Sequence, residues 1–247
     1  MNVLILAAGY GIRLQPITRT VSKALIEIGG KPMIEHVLEK FSRFGEITIV
    51  TNRKFADDLD HWRKGFVRRH PDIHIRLLDN GSTAVENRLG ANGDIAFSIE
   101  EAGLGGKELL IVGSDNLFTE SQDAFVQFAT DKPATIATFD LGSLQEVKRF
   151  AAVSADTNGR VLSFEEKPDQ PVSTLAGTML YHLAATTVPL AREFLDSGGN
   201  PDNAGYLFDW LGGRVETFAC PLQGQWIDVG SHESLQRAHS MAATDPC

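Results

Sequence analysis

The stretch LAAGYGIRLQPITRTVSKAL, Leu6 to Leu25, gathers the residues best suited to handling an anion. Gly9 and Gly11 let backbone N–H groups turn toward a negative charge and let that charge come close. Arg13 offers a planar fork that suits phosphate oxygens, and Lys23 a point charge. The run Val3 to Ala7 just before them is continuously apolar, as in a strand buried on both faces. That places the loop at the carboxyl end of a first strand, where open α/β sheets bind ligands. A bare Gly-x-Gly reads equally well as a tight turn beside a solvated arginine. The dinucleotide fingerprint fails at Leu14, where its third glycine belongs, and no Walker A pattern occurs.

Asp115 in LLIVGSDNLF sits just past a buried strand, where an aspartate serves a site or, more often, only caps a helix or turn. SFEEKP supplies Glu166 and Lys167, which read alternatively as an exposed charged turn. His70 and His74 are separated by Pro71 and make no helical ligand pair. Arg63, Lys64, Arg68 and Arg69 read as the solvated face of a surface helix.

The elements that must position these groups alternate. Strands are expected at Val3–Ala7, Glu46–Val50, Ile73–Leu78 and Glu108–Val112. Helices are expected over KPMIEHVLEKFSRFG with Gly45 as its stop, over KFADDLDHWRKGF, near Asp94 to Ala102 and at Gln122–Ala129. This alternation implies βαβ units and a mostly parallel sheet. After about Pro133 the strands shorten, with an Asn-Gly hairpin turn in DTNGR, and helices are expected at Val188–Ser197 and Ser231–Met241. The expected fold is α/β, a Rossmann-like three-layer sandwich with a mostly parallel central sheet and a smaller antiparallel lid portion. It forms one domain over 1–247 whose rhythm changes at about 133.

With 247 residues and a net charge of -9, the chain can bury a core without staples. Its acidity argues against a nucleic-acid or membrane footprint. Only Cys220 and Cys247 are present, so no disulfide framework is visible, and the first apolar run is too short for a membrane span. A cytoplasmic location is expected, and a homo-oligomer stays open.

The full string resembles the nucleotidyltransferases that make sugar nucleotides. LAAGYGIRLQPIT, SKAL and GKPMIEHVL follow that family's signature in order and spacing, with Ser22 in place of its proline. The resemblance implies that Leu6, Ala7, Ala8, Gly9 and Gly11 wrap a nucleoside triphosphate while Arg13 and Lys23 meet its phosphates. It implies Asp115 and Asp228 as Mg²⁺ ligands, Glu166 on the sugar, Lys167 on the sugar phosphate and Gly177 in the sugar-lining strand. In the base-recognition segment, Gly93 falls at the family's helix-start glycine, and Gly90 would aid close approach to a base. Arg88 and Asn87 read as base or phosphate contacts or, at least as readily, as solvated loop residues. Phe150-Ala151 replaces the family's Tyr-Gly.

The implied reaction is Mg²⁺-dependent nucleotidyl transfer from a nucleoside triphosphate to a sugar 1-phosphate, releasing pyrophosphate. The alternatives are a cytidylyl or other nucleotidyl transfer to a non-sugar phosphate or phosphonate, and an inactive nucleotide-binding regulatory module. A dinucleotide-dependent oxidoreductase is disfavoured by Leu14.

Overall fold

The computed structural model describes residues 1–244, so Cys247 lies outside it. The chain divides into two compact units. The first comprises Met1–Leu89, Val112–Ser121 and the segment from Gly224 onward, and the second Gly90–Ile111 with Gln122–Gln223.

In the first unit the apolar runs form parallel strands. Glu46–Thr51 lies between Asn2–Leu6 and Ile75–Asp79, with Leu4 opposite Thr48 and Ile49 opposite Leu77. Val3, Leu4 and Ile5 are fully buried, as a strand covered on both faces requires. The crossover helices are Met33–Phe41 and Ala56–Arg69. Met33, Ile34, Val37, Leu38 and Phe41 are buried at the expected helical spacing. The basic run is consumed locally, Arg63 and Lys64 pairing with Asp60 and Arg69 with Glu35.

Gly45 does not cap the first helix. Its φ of 162° is extended, and a short 3₁₀ turn, Ser42–Phe44, intervenes. The missing side chain instead makes room for the Met1 carbonyl oxygen. The demand at this position is close backbone approach, which helix-end statistics do not report.

The second unit is largely antiparallel. Leu175–Leu183 pairs with Ala134–Asp140 and Ala151–Ala155, and Ala151–Ala155 pairs with Val161–Glu166. Thr217–Pro221 runs parallel to Ala134–Asp140. The Asn-Gly hairpin turn forms as expected, with Gly159 at φ 80° and Asp156 Oδ1 accepting from the Asn158 and Arg160 amides. The helix Ala204–Gly212, absent from the sequence expectation, buries Leu207, Phe208 and Leu211. No helix among the described residues is long and apolar enough to cross a membrane.

The helix expected near Asp94 begins earlier and spans Gly90–Glu101. The helix-start glycine is therefore Gly90, with Gly93 inside the first turn. Gly90 has φ 78°, and the Pro201 carbonyl fills the space a Cβ would need. Two amides at this helix start are satisfied by loop carbonyls, Ala91 N–H by Asp202 at 3.0 Å and Asn92 N–H by Pro201 at 2.8 Å. Gly90→Ala should lower the unfolding free energy by more than about 1 kcal/mol, because it adds a clash to a left-handed backbone. Urea denaturation checks this, and an unshifted midpoint would refute it.

Candidate active site

The glycine-rich loop of the first unit folds back on itself in three short 3₁₀ turns, Ile12–Leu14, Ile17–Arg19 and Lys23–Leu25. Gly11 has φ 60°, and a Cβ there would lie 2.8 Å from Thr18 Cγ2 and 3.4 Å from Lys23 Cβ. Thr18 Oγ1 donates to the Gly11 carbonyl at 2.7 Å and fixes the turn. Asn52 Nδ2 donates to the Ala8 carbonyl at 2.9 Å, while Ala7 N–H donates to Val50 O at 2.9 Å. These bonds hold Leu6 to Ala8 at the strand end and leave Gly9 exposed, with open space around its Cα. Ser22, at φ −57°, keeps the backbone a proline would impose.

Behind the loop Leu14, Ile26 and Ile28 pack in one apolar cluster with Leu117, Ile227 and Val229. Asn116–Phe118 and Trp226–Asp228 form an antiparallel pair in which Leu117 faces Ile227 and Asn116 faces Asp228. Strand alternation sends the apolar pair into the cluster and Asn116 with Asp228 to the opposite side. Val229 N–H donates to the Asp115 carbonyl at 2.9 Å, so Asp115 lies at the end of the strand pair that carries Asp228. Trp226 Nε1 donates to Asn116 Oδ1, and Asn116 Nδ2 to Asp115 Oδ1, both at 2.8 Å.

The cations reach the same place. Lys23 Nζ forms an ion pair with Asp115 Oδ2. Burial works to raise the Asp115 pKa, but the Lys23 charge and hydrogen bond, with the Asn116 amide, hold the carboxyl below its ordinary value. A Cβ built on Gly230 would lie 3.0 Å from Arg13 Nη2 and 3.4 Å from Asp228 Oδ1, so both groups flank this glycine. Ser234 Oγ accepts from the Gly230 and Ser231 amides at 3.0 Å each, at the start of the helix His232–Thr244.

Arg88 and Asn87 serve their own turn. Arg88 Nη1 donates to Val85 O at 2.9 Å, and Asn87 Oδ1 accepts from the Thr83 and Ala84 amides.

The second unit holds the remaining residues named from the sequence. Glu166 is directly opposite Ala151 at the end of its strand, and its carboxylate occupies the space that a side chain at Gly205 would fill. Burial pushes the Glu166 pKa up, against the lowering effect of Lys167. The same burial, with the Glu166 charge, raises the Tyr181 pKa. Lys167 is one of two non-glycine residues with positive φ among those described, at 49°, a conformation costing roughly 1–2 kcal/mol. Its Nζ donates to Asn203 Oδ1 at 2.9 Å and stands 3.6 Å from Glu166 Oε1. A Cβ at Gly177 would press on Ile136, Ala151 and Val153, so the space left by this glycine is filled by packing.

A Nucleotidyl transferase family model matches residues 2–245, nearly the whole chain. The chain belongs to the nucleotidyl transferase family. Over 99% of its length this nucleotidyltransferase is 32% identical to a glucose-1-phosphate thymidylyltransferase from Neisseria meningitidis, covering 83% of that relative. Its fold is similar to that of a Bacillus anthracis protein assigned as a glucose-1-phosphate thymidylyltransferase and crystallised with sucrose. There the TM-score is 0.83 and the identity 24%, with 98% of this chain and 95% of that one covered. A UDP-glucose pyrophosphorylase in complex with UDP-glucose gives a TM-score of 0.80 at 21% identity, with 98% of each chain covered. The expected α/β class is thus the observed one.

The donor set of the nucleotidyltransferase suits a hard dication. No group of three or more His, Cys, Asp or Glu among the described residues is placed to hold a metal. Two carboxylates alone suit a cation that completes its shell with phosphate and water oxygens. Asn116, Asn203 and Gly205 escaped the sequence reading. The Asn-Ala start of the Ala204–Gly212 helix was the one available signal for Asn203, and the surrounding Gly, Pro and Asp residues masked it as a turn.

Gly230→Ala should reduce turnover while the thermal midpoint changes little, because the added methyl meets the mobile end of Arg13 rather than backbone. Unchanged kcat/KM would refute this placement. Glu166→Gln should raise the thermal midpoint at pH 8 and leave it nearly unchanged at pH 4. A carboxyl with a raised folded pKa contributes stability below its unfolded pKa and loses it as pH rises through the folded value. An identical midpoint difference at both pH values would contradict the burial effect.

Proposed function

We propose that the chain transfers a nucleotidyl group from a nucleoside triphosphate to a sugar 1-phosphate and releases pyrophosphate, with Mg²⁺ as its cofactor. The observation that carries this reading is the gathering of Arg13, Lys23, Asp115 and Asp228 around one strand pair of the first unit. The activity of the Neisseria relative supports the sugar 1-phosphate as acceptor.

The central difficulty is bringing two polyanions together for an in-line displacement at the α-phosphorus. The loop from Leu6 to Gly11 wraps the triphosphate, with Gly9 exposed beside it and the Ala7 amide kept by the Val50 carbonyl. Arg13 and Lys23 offset the charge of the triphosphate and of the departing pyrophosphate, the main means by which phosphoryl-type transfers are catalysed. Lys23 leaves Asp115 to do so and frees the carboxylate. Asp115 and Asp228 would hold Mg²⁺, which would supply Lewis-acid stabilisation of the negative charge that develops on the phosphates. Lys167 receives the acceptor phosphate, and Glu166 orients the sugar hydroxyls. The acceptor phosphate has a second pKa of about 6, so it arrives largely as the dianion and no side chain need act as general base.

Asp115→Asn and Asp228→Asn should each reduce pyrophosphate release by about 100-fold or more with the circular dichroism spectrum retained. Parental rates in both would refute the assignment. Assaying the parent across a matrix of nucleoside triphosphates and sugar, non-sugar and phosphonate acceptors identifies the substrates. Release with non-sugar acceptors alone would overturn the sugar reading, and no release with any pair would favour the inactive regulatory module.

A further inference from the structure

We propose that Asn203 is a positioning residue that holds the Lys167 ammonium ready for the acceptor phosphate, an inference that rests on the above reading of Lys167. Asn203 occupies the N-cap of the helix Ala204–Gly212, the position at which asparagine ordinarily satisfies a free helix amide. Here its side chain makes no capping bond. Its Oδ1 instead accepts from Lys167 Nζ at 2.9 Å.

The partner's chemistry matters. A lysine side chain is flexible and half exposed here, so an unheld ammonium samples many rotamers and loses them on binding. A carboxylate partner would fix the ammonium but neutralise it before the phosphate arrives. The carboxamide fixes it through a neutral oxygen and adds no negative charge of its own. Glu166 Oε1, at 3.6 Å, pairs with the same ammonium at longer range than the Asn203 bond. Lys23, by contrast, makes its close contact with a carboxylate.

Asn203 is itself anchored. The nearly inaccessible Asn92, in the first turn of the helix Gly90–Glu101, donates its Nδ2 to the Asn203 carbonyl at 2.7 Å and to the Asn200 carbonyl at 2.9 Å. Asn200 Oδ1 accepts from the Asp202 amide at 2.9 Å and stiffens the loop between them. The left-handed backbone of Lys167 is tied at its own N–H to the Phe150 carbonyl at 3.0 Å. Both ends of the Asn203–Lys167 hydrogen bond are therefore set on fixed backbone.

The test is initial-rate pyrophosphate release by Asn203→Leu, Asn203→Asp, Lys167→Met and the double variant Asn203→Leu with Lys167→Met. Asn203→Leu should raise the acceptor KM about tenfold and leave the nucleoside triphosphate KM within about twofold. That effect should vanish in the Lys167→Met background, where a role confined to the helix start or the loop would persist. Asn203→Asp keeps the side-chain shape and an oxygen for the lysine, so it should fold, yet it should raise the acceptor KM by adding a negative charge. A parental acceptor KM in Asn203→Leu or Asn203→Asp would overturn the proposal, as would an undiminished effect in the double variant. If Lys167→Met itself leaves the acceptor KM unchanged, the assignment of Lys167 falls and takes this inference with it.

Discussion

The ion pair between Lys23 and Asp115 joins the glycine-rich loop to the strand end that carries a candidate metal ligand. On the proposed reading both charges lie at the triphosphate and dication site, and in this structure each neutralises the other. The apolar cluster behind them, from Leu14 through Leu117 to Val229, holds loop and strands in one block. Without the pair, burial would push the Asp115 pKa up with only the Asn116 and backbone hydrogen bonds to oppose it. With it, the carboxyl stays ionised and the lysine stays at hand.

The two candidate lysines are held by different chemistry. Lys23 is paired directly with the Asp115 carboxylate. Lys167 makes its closest contact with a carboxamide, the Glu166 carboxylate standing farther off at 3.6 Å. A net charge of -9 gives no general attraction for anions. On the proposed reading, anion binding then depends on a few local cations.

Much of this was legible in the sequence. The first-unit strands are continuous apolar runs, and Met33 to Phe41 keeps a helical period, so local pattern sufficed. The glycine-rich motif places Arg13 and Lys23 beside one strand end because its spacing encodes a local loop. What escaped depends on contacts distant in sequence. Gly45 serves the close approach of Met1, and Gly90 that of Pro201, neither of which a local window contains. The helix Ala204–Gly212 opens among Gly, Pro, Asn and Asp and carries a second glycine at 205, where Glu166 needs the room. Asn203 could not be chosen over its neighbours until the Lys167 bond was seen. That Asp115 stands beside the residue opposite Asp228 is likewise a matter of register, which the separation of 113 positions hides.

The central claim is that a small set of fixed cations and two carboxylates handles two anionic substrates with the help of a dication. The most direct measurement is the rate of pyrophosphate release against Mg²⁺ concentration, at fixed nucleoside triphosphate and sugar 1-phosphate, with a chelator defining zero metal. The account predicts no turnover in chelator and a steep rise as Mg²⁺ is added. A rate that stays the same from chelator to excess Mg²⁺ would contradict it.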